Sequence, residues 1–303
     1  MQVQRLRLIF AVILLGALVA CATSQEKART KLNEMNIAYD ENSFVQKAAE
    51  GDTQTVGYFL GAGMDPNVTD RRGNTALIMA AKEGRQEVVK LLLAKGANIE
   101  GTDTKFKLTP LIWAALRGQN VMVRLLLDAG ADPKATESKN GMTAFHVAAV
   151  KGYTKTLKLF VESGEPIDAR DKDGRTPLMW AAYQGHNATV TFLLDNGADI
   201  DARDEKRGLT ALMTAATRGR TKTLKLLLDR GADMNARAND GKTALILAAF
   251  VGQEDTVKLL LENGADVNDQ DNDGRTALSL AKTYGRWNIV ELLENSGAVE
   301  GGQ

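Results

Sequence analysis

"GNTALIMAAKEGRQEVVKLLLAKGA", residues 73–97, decides the fold of this chain. Thr75 can cap the free amides of a helix start. The apolar run behind it ends in Ala80-Ala81, thin enough for a neighbouring element to approach closely. Gly84 stops that helix, as a left-handed residue does. The triplet Leu91-Leu92-Leu93 marks a second helix, expected to be the more buried of the two, and Gly96 ends it. Two helices of this length cannot bury their apolar faces alone, so the stretch needs further copies of itself.

The copies are there. Threonines 75, 109, 143, 176, 210, 243 and 276 head Thr-Ala-Leu, Thr-Pro-Leu or Thr-Ala-Phe, at spacings of 34, 34, 33, 34, 33 and 33. Alanine pairs follow at 80–81, 114–115, 148–149, 181–182, 215–216 and 248–249. Pro110 and Pro177 take the first helical position, where a missing N–H costs nothing. Seven registered copies of this set resemble the ankyrin repeat, closely over residues 70–300. Residues 42–69 read as a degenerate first copy, with Ala48-Ala49, Gly51, Leu60, Gly63 and Asn67 in place. The resemblance implies an all-α fold: an ankyrin-repeat solenoid of about eight helix–turn–helix repeats with projecting turn fingers. The last repeat departs as a cap should. Lys282 replaces the second alanine and Glu294 ends the triplet, placing charge where an inner repeat buries apolar surface.

The beginning of the chain reads differently. Arg5 and Arg7 precede the apolar run Leu8–Ala20, which is short of the roughly 20 residues a spanning helix needs. Leu18-Val19-Ala20-Cys21 resembles a bacterial lipobox, in which the signal is cut before the cysteine and the thiol takes a diacylglycerol. An uncut membrane anchor, an ordinary cleaved signal and a buried core helix are the competing readings. Cys21 is the single cysteine of the 303 residues, so no disulfide forms within one chain. Ala22, not aspartate, follows it and resembles a Gram-negative outer-membrane address. The expected organisation is a lipoprotein signal peptide over 1–20, a lipidated flexible tether over 21–40, one continuous repeat domain over 41–300 and a tail over 301–303. The tether is polar and mixed in charge, with some helix near Lys27–Met35, and too poor in large apolar residues to build a core.

Candidate chemistry is sparse. The two histidines, His146 and His186, stand where ankyrin repeats favour structural histidine, with no second ligand type at metal spacing. No phosphate loop and no Gly-x-Ser-x-Gly motif occurs. Acids at Asp199-Asp201 and Asp266-Asp269-Asp271 lack the EF-hand order and read as solvated finger residues. No catalytic residue, metal or cofactor is assigned, and the expectation is a protein that is not an enzyme. Net charge is zero, from 38 basic and 38 acidic residues, so no global field draws nucleic acid.

The family's partner contacts vary just before the repeat threonine and seven and eight residues after it, on the concave side of the stack. Carried over, these positions hold Phe106, Leu108, Leu116, Met142 and Val150 in the third and fourth repeats. Tyr183 and Phe250 extend the row. Arg117, Lys206, Arg207 and Leu209 join it, with Trp113 nearby. Trp113 and Trp180 share one repeat position, and packing between helices is the other reading of both. The carried-over positions hold fourteen lysines and arginines against four acids. Either this is a solvated face or a groove that steers an acidic protein partner. The third repeat also lacks the finger glycine found at Gly73, Gly141, Gly174, Gly208, Gly241 and Gly274. Lys107 stands there, which predicts a strained, reshaped finger that projects Phe106. The functional expectation is a non-enzymatic protein–protein scaffold or assembly factor, lipid-anchored at the bacterial envelope on the periplasmic face of the outer membrane. An inhibitor, immunity or accessory protein of a periplasmic enzyme is the alternative.

Overall fold

The structure, a computed structural model, describes residues 23–299. The expectations for Cys21, the signal at 1–20 and the tail at 301–303 lie outside the described residues. The described chain is helical throughout. Three isolated β-bridges, Thr69 with Thr75, Thr136 with Thr143 and Gln270 with Thr276, close finger turns.

The chain groups into two compact units, one up to Ala135 and one from Thr136. The first unit holds α1 (residues 23–34), α2 (Glu41–Glu50), α3 (Thr53–Gly61), α4 (Ala76–Lys82), α5 (Gln86–Ala94), α6 (Pro110–Leu116) and α7 (Asn120–Asp128). The second holds α8 (Ala144–Lys151), α9 (Thr154–Glu162), α10 (Pro177–Gln184), α11 (Asn187–Asp195), α12 (Ala211–Thr217), α13 (Thr221–Asp229), α14 (Ala244–Val251), α15 (Glu254–Glu262), α16 (Ala277–Thr283) and α17 (Trp287–Asn295). Within each unit every even-numbered helix opens a repeat and packs on the even-numbered helices of its neighbours.

The local chemistry follows the motif. Hydroxyls of Thr75, Thr109, Thr176, Thr210, Thr243 and Thr276 accept the N–H three residues on, at 3.1–3.5 Å. Gly152 shows why the mid-repeat glycine cannot change. Its φ is 72°, and a Cβ there would lie 2.8 Å from the His186 ring of the next repeat.

Two expectations are corrected. The first helix of each repeat, not the leucine-rich second one, is the more buried. In α14 every residue from Ala244 to Ala249 is buried, whereas α15 buries Thr256, Val257 and Leu260. A first helix has a neighbour on either side and its own second helix behind it. A second helix keeps one face in water, so only the middle residue of each triplet (Leu92, Leu126, Phe160, Leu193, Leu227, Leu260, Leu293) is fully enclosed. The tether is the other correction. Residues 23–34 form a helix that buries Leu32 fully, and the Ala28 methyl faces Gly61 of α3. The Tyr39 hydroxyl donates to the Ala62 carbonyl at 3.1 Å, and the Arg29 guanidinium lies 4.9 Å from the Tyr39 ring. Few apolar residues suffice here because the first repeat supplies the opposite wall. In the last repeat Lys282 and Glu294 pair at 3.0 Å, which keeps both charges satisfied at that end.

Candidate functional site

The fingers are built on buried acids. Asp103, 3% exposed, accepts the backbone N–H groups of Lys105, Phe106 and Leu108 at 2.7–3.0 Å and the Trp113 indole N–H at 3.2 Å. Asp171 serves the fifth repeat in the same way, taking Asp173 and Arg175 N–H at 2.9 Å and Trp180 Nε1 at 3.0 Å. Asp271 is also buried, against the reading of its cluster as solvated. It accepts the N–H groups of Asp273 and Arg275 and the Arg275 guanidinium. The Arg275 hydrogen bonds outweigh burial and hold the Asp271 carboxyl below its usual range. Asp201 accepts the Asp233 N–H at 3.0 Å, so the acids outside the fingers link one repeat to the next.

In the second unit the finger tips form a backbone ladder. Lys172 N–H donates to Asn140 C=O, Glu205 to Asp173, Asn239 to Arg207 and Asn272 to Asp240, at 2.8–3.1 Å. In the first unit side chains make these links: Asn42 Oδ1 accepts Arg71 N–H, and Thr104 Oγ1 donates to Arg72 C=O at 3.1 Å. Lys107 takes a left-handed φ of 57°, where the other fingers carry glycine, and Phe106 stands 46% exposed with Lys105 Nζ 4.9 Å from its ring.

Of the residues singled out from sequence, Phe106, Leu108, Trp113, Leu116 and Arg117 fall in the first unit. Met142, Val150, Tyr183, Lys206, Arg207, Leu209 and Phe250 fall in the second. Leu108 and Leu209 are corrected: both are buried, because these two leucines join the apolar core beside the capping threonine while Met142 at the same repeat position stays half-buried, and neither offers contact surface. Leu116, Met142, Val150, Tyr183 and Phe250 are half-buried, and Arg117, Lys206 and Arg207 are exposed. Lys206 already meets Asp173 at 3.4 Å. Trp113 and Trp180 are half-buried, donate their indole N–H to the finger carboxylates Asp103 and Asp171, and take a cation on the ring, Lys82 at 4.7 Å and Arg175 at 5.0 Å. Tyr183 stands edge-on to Trp180, and Arg218 lies 4.4 Å from the Tyr183 ring. The first helices thus carry cation-faced rings, Trp113 in the first unit and Trp180 and Tyr183 in the second, a surface suited to apolar contact rimmed by positive charge.

Sequence reasoning missed the exposed Trp287 of the last repeat; Tyr284, which stands eight after Thr276 at a carried-over contact position, is exposed too and lies edge-on to Phe250 at 4.8 Å. The signal was there: Trp287 follows Gly285 by two, where other repeats carry polar residues such as Gln86, Asn120 and Thr154. It also missed a groove of about 690 Å³ in the first unit, floored by Val45, Ala49 and Met79 and rimmed by Asn42, Gln46, Arg71 and Arg72.

Both histidines serve structure. His146 is fully buried. Its Nε2 faces the carbonyls of Ala169 and Arg175 at 3.0 and 3.2 Å and so carries the proton, leaving Nδ1 to accept from Thr143 N–H and hydroxyl. His186 Nε2 meets the Val150 carbonyl at 3.0 Å. Among the described residues no group of three or more His, Cys, Asp or Glu side chains could hold a metal ion, and no helix is long and apolar enough to cross a membrane.

Comparison with known proteins fits this geometry. A family model of ankyrin repeats in three copies matches residues 44–137, 134–204 and 203–271, and one of many copies matches 251–294. A putative ankyrin repeat-containing protein of Treponema pallidum (strain Nichols) is 34% identical over 73 residues, which is 24% of each chain.

Proposed function

The chain belongs to the ankyrin-repeat family, a protein–protein interaction fold, and from that premise we propose that it is a non-enzymatic scaffold or assembly factor held by a lipid at a bacterial envelope. The observation that carries the binding role is the cation-faced aromatic rings on the first helices of each unit, Trp113 with Lys82 in the first and Trp180–Tyr183 with Arg175 and Arg218 in the second. Aromatic and arginine side chains dominate the energy of protein interfaces. The basic bias of the same positions favours an acidic protein partner over nucleic acid, because the chain as a whole carries no net charge.

The anchor rests on Arg5, Arg7, the apolar run to Ala20 and the lipobox-like Leu18–Cys21, and Ala22 favours the outer membrane. Two or more acyl chains anchor stably where one does not. Residue 23 is already helical and α1 is docked on the first repeat, so a lipid on Cys21 would hold that repeat within about 7 Å of chain length from the bilayer surface. A fatty-acid analogue fed to growing cells should label the wild-type chain and not Cys21→Ser, which should leave the membrane fraction. A mature chain with Met1 in place and a free Cys21 thiol defeats the anchor. Photocrosslinkers at Leu116 and Tyr183 should capture protein in cells, while those at Lys90 and Lys225 on the second helices should not. Equal capture from both sides defeats the binding surface.

A further inference from the structure

Some cations of the first unit are paired with acids and others are not. Lys31, Lys47 and Lys90, on α1, α2 and α5, each hold a glutamate at 2.7–2.8 Å. On the finger side Arg71, Arg72, Lys82, Lys105, Lys107 and Arg117 have no carboxylate at ion-pair distance among the described residues. Glu83 stands exposed beside Lys82, while the acids nearest the groove and the third finger are engaged. Asp40 caps α2 through the Ser43 N–H and hydroxyl, Asp70 accepts the Arg72 and Asn74 N–H groups, and Asp103 is enclosed in its finger. Unpaired like charges gathered on one surface repel, and they are relieved by an oppositely charged partner.

The third finger adds backbone strain. A lysine at φ 57° occupies a conformation that glycine takes without cost in the other repeats. Lys107 follows Phe106 in the chain and gives the finger a second cation besides Lys105. Observed strain of this kind at an exposed loop points to use. Next to this finger, tied to it by Thr104 on Arg72, lies the groove floored by Val45, Ala49 and Met79. Asn42 gives its Oδ1 to the Arg71 N–H and Gln46 its Nε2 to Glu50, which leaves Asn42 Nδ2 and Gln46 Oε1 to pair with the peptide groups of an extended chain.

We propose that this groove and the Lys105-Phe106-Lys107 finger dock an extended acidic segment of a partner protein. Its carboxylates would meet Arg71, Arg72, Lys105 and Lys107, and an apolar side chain would rest on Phe106. A protein segment fits better than a nucleic acid or an anionic lipid surface. Val45, Ala49 and Met79 give the groove an apolar part that phosphates would not use, and Asp40 and Asp70 in its lining oppose a continuous run of phosphates. The proposal rests on the interaction-module reading and assigns it a place and a ligand chemistry.

Random twelve-residue peptides displayed on phage and selected on the full chain test it. The enriched peptides should carry an excess of Asp and Glu around one apolar or aromatic residue. Their affinity, read by fluorescence anisotropy, should fall at least tenfold in Arg71→Glu/Arg72→Glu, about fivefold in Phe106→Ala, and steeply with added salt. Lys107→Gly should weaken binding about threefold while raising Tm, since the charge and the strain leave together. Lys90→Glu on α5 should change binding little. Enriched peptides without an acidic excess, or ones that bind Arg71→Glu/Arg72→Glu unchanged, overturn the proposal. So does the absence of any enrichment. If the selected peptides lose affinity instead in Arg218→Glu, the groove proposal falls while the interaction module stands. If a twenty-nucleotide single strand or phosphatidylglycerol vesicles displace the peptides as well as the peptides displace themselves, the surface is a general anion binder and the proposal falls.

Discussion

Asp103 illustrates how much of this fold hangs on single enclosed side chains. One carboxylate, 3% exposed, satisfies three backbone amides of the third finger and the Trp113 indole. Hydrogen bonds to a charged group contribute about 1.5–3 kcal/mol each and are not additive. Asp103→Ala should therefore destabilise the first unit by about 2–4 kcal/mol and shift Trp113 fluorescence toward that of a solvated indole, measured by denaturant titration. His146 is the other such residue. Burial pushes its pKa below the ordinary value of 6.5, against the opposing pull of Asp171 and the carbonyls of Ala169 and Arg175. The unfolded chain thus takes up a proton near pH 6.5 that the folded chain refuses. Stability is complete above that pH and falls as the pH drops below it, by up to about 1.4 kcal/mol per pH unit. His146→Gln should flatten the stability curve between pH 6.5 and 5. A curve as steep as the wild type's in that variant would show that His146 is not the group responsible.

At the scale of elements, α1 and the fingers carry the information that the repeat pattern does not. Helix α1 holds to the first repeat through Leu32, Ala28 and the Tyr39 hydroxyl bond to Ala62. Removing a fully buried leucine side chain costs about 2–4 kcal/mol where the site cannot collapse. Leu32→Ala should release α1 locally, raising hydrogen exchange over residues 23–34 at least tenfold while α4 and α5 keep their protection. Unchanged exchange there would mean that α1 is held by something other than this contact. The fingers differ between the units in how they are tied. A ladder of backbone bonds in the second unit resists side-chain substitution, whereas the Thr104 hydroxyl in the first does not.

For the molecule as a whole, stability in a repeat array is close to a sum of repeat and neighbour terms. Damage should stay near its origin. Leu293, fully buried in α17, belongs to the last repeat. Leu293→Ala should fray α16 and α17 by hydrogen exchange, with the amides of α10 and α11 in the same unit little affected. A uniform loss of protection across the second unit would show that its repeats unfold as one cooperative body.

The sequence by itself determined the repeat, its register and its caps. Thr75 and its counterparts, the alanine pairs and the mid-repeat glycines each answer a local need: an orphan amide, a close helix contact, a left-handed turn. Local needs are legible in order along a chain. The strain at Lys107 was legible too, because one glycine missing from a periodic set stands out. What only the tertiary structure decided was which side of each element meets a neighbour. The leucine triplets read as the most buried segments, yet the first helices are, since the second helices, though they too meet a neighbour on either side, keep one face in water. Leu108 and Leu209 carry the composition of a contact surface and lie in the apolar core beside their capping threonines. Residues 23–34 are too polar to form a core, and they still bury Leu32, because the first repeat supplies the opposing wall. The pairing of Lys82 with Trp113 and of Arg218 with Tyr183 joins adjacent repeats. Such contacts arise between residues more than thirty positions apart, where one-dimensional periodicity says which residues recur but not which of them touch.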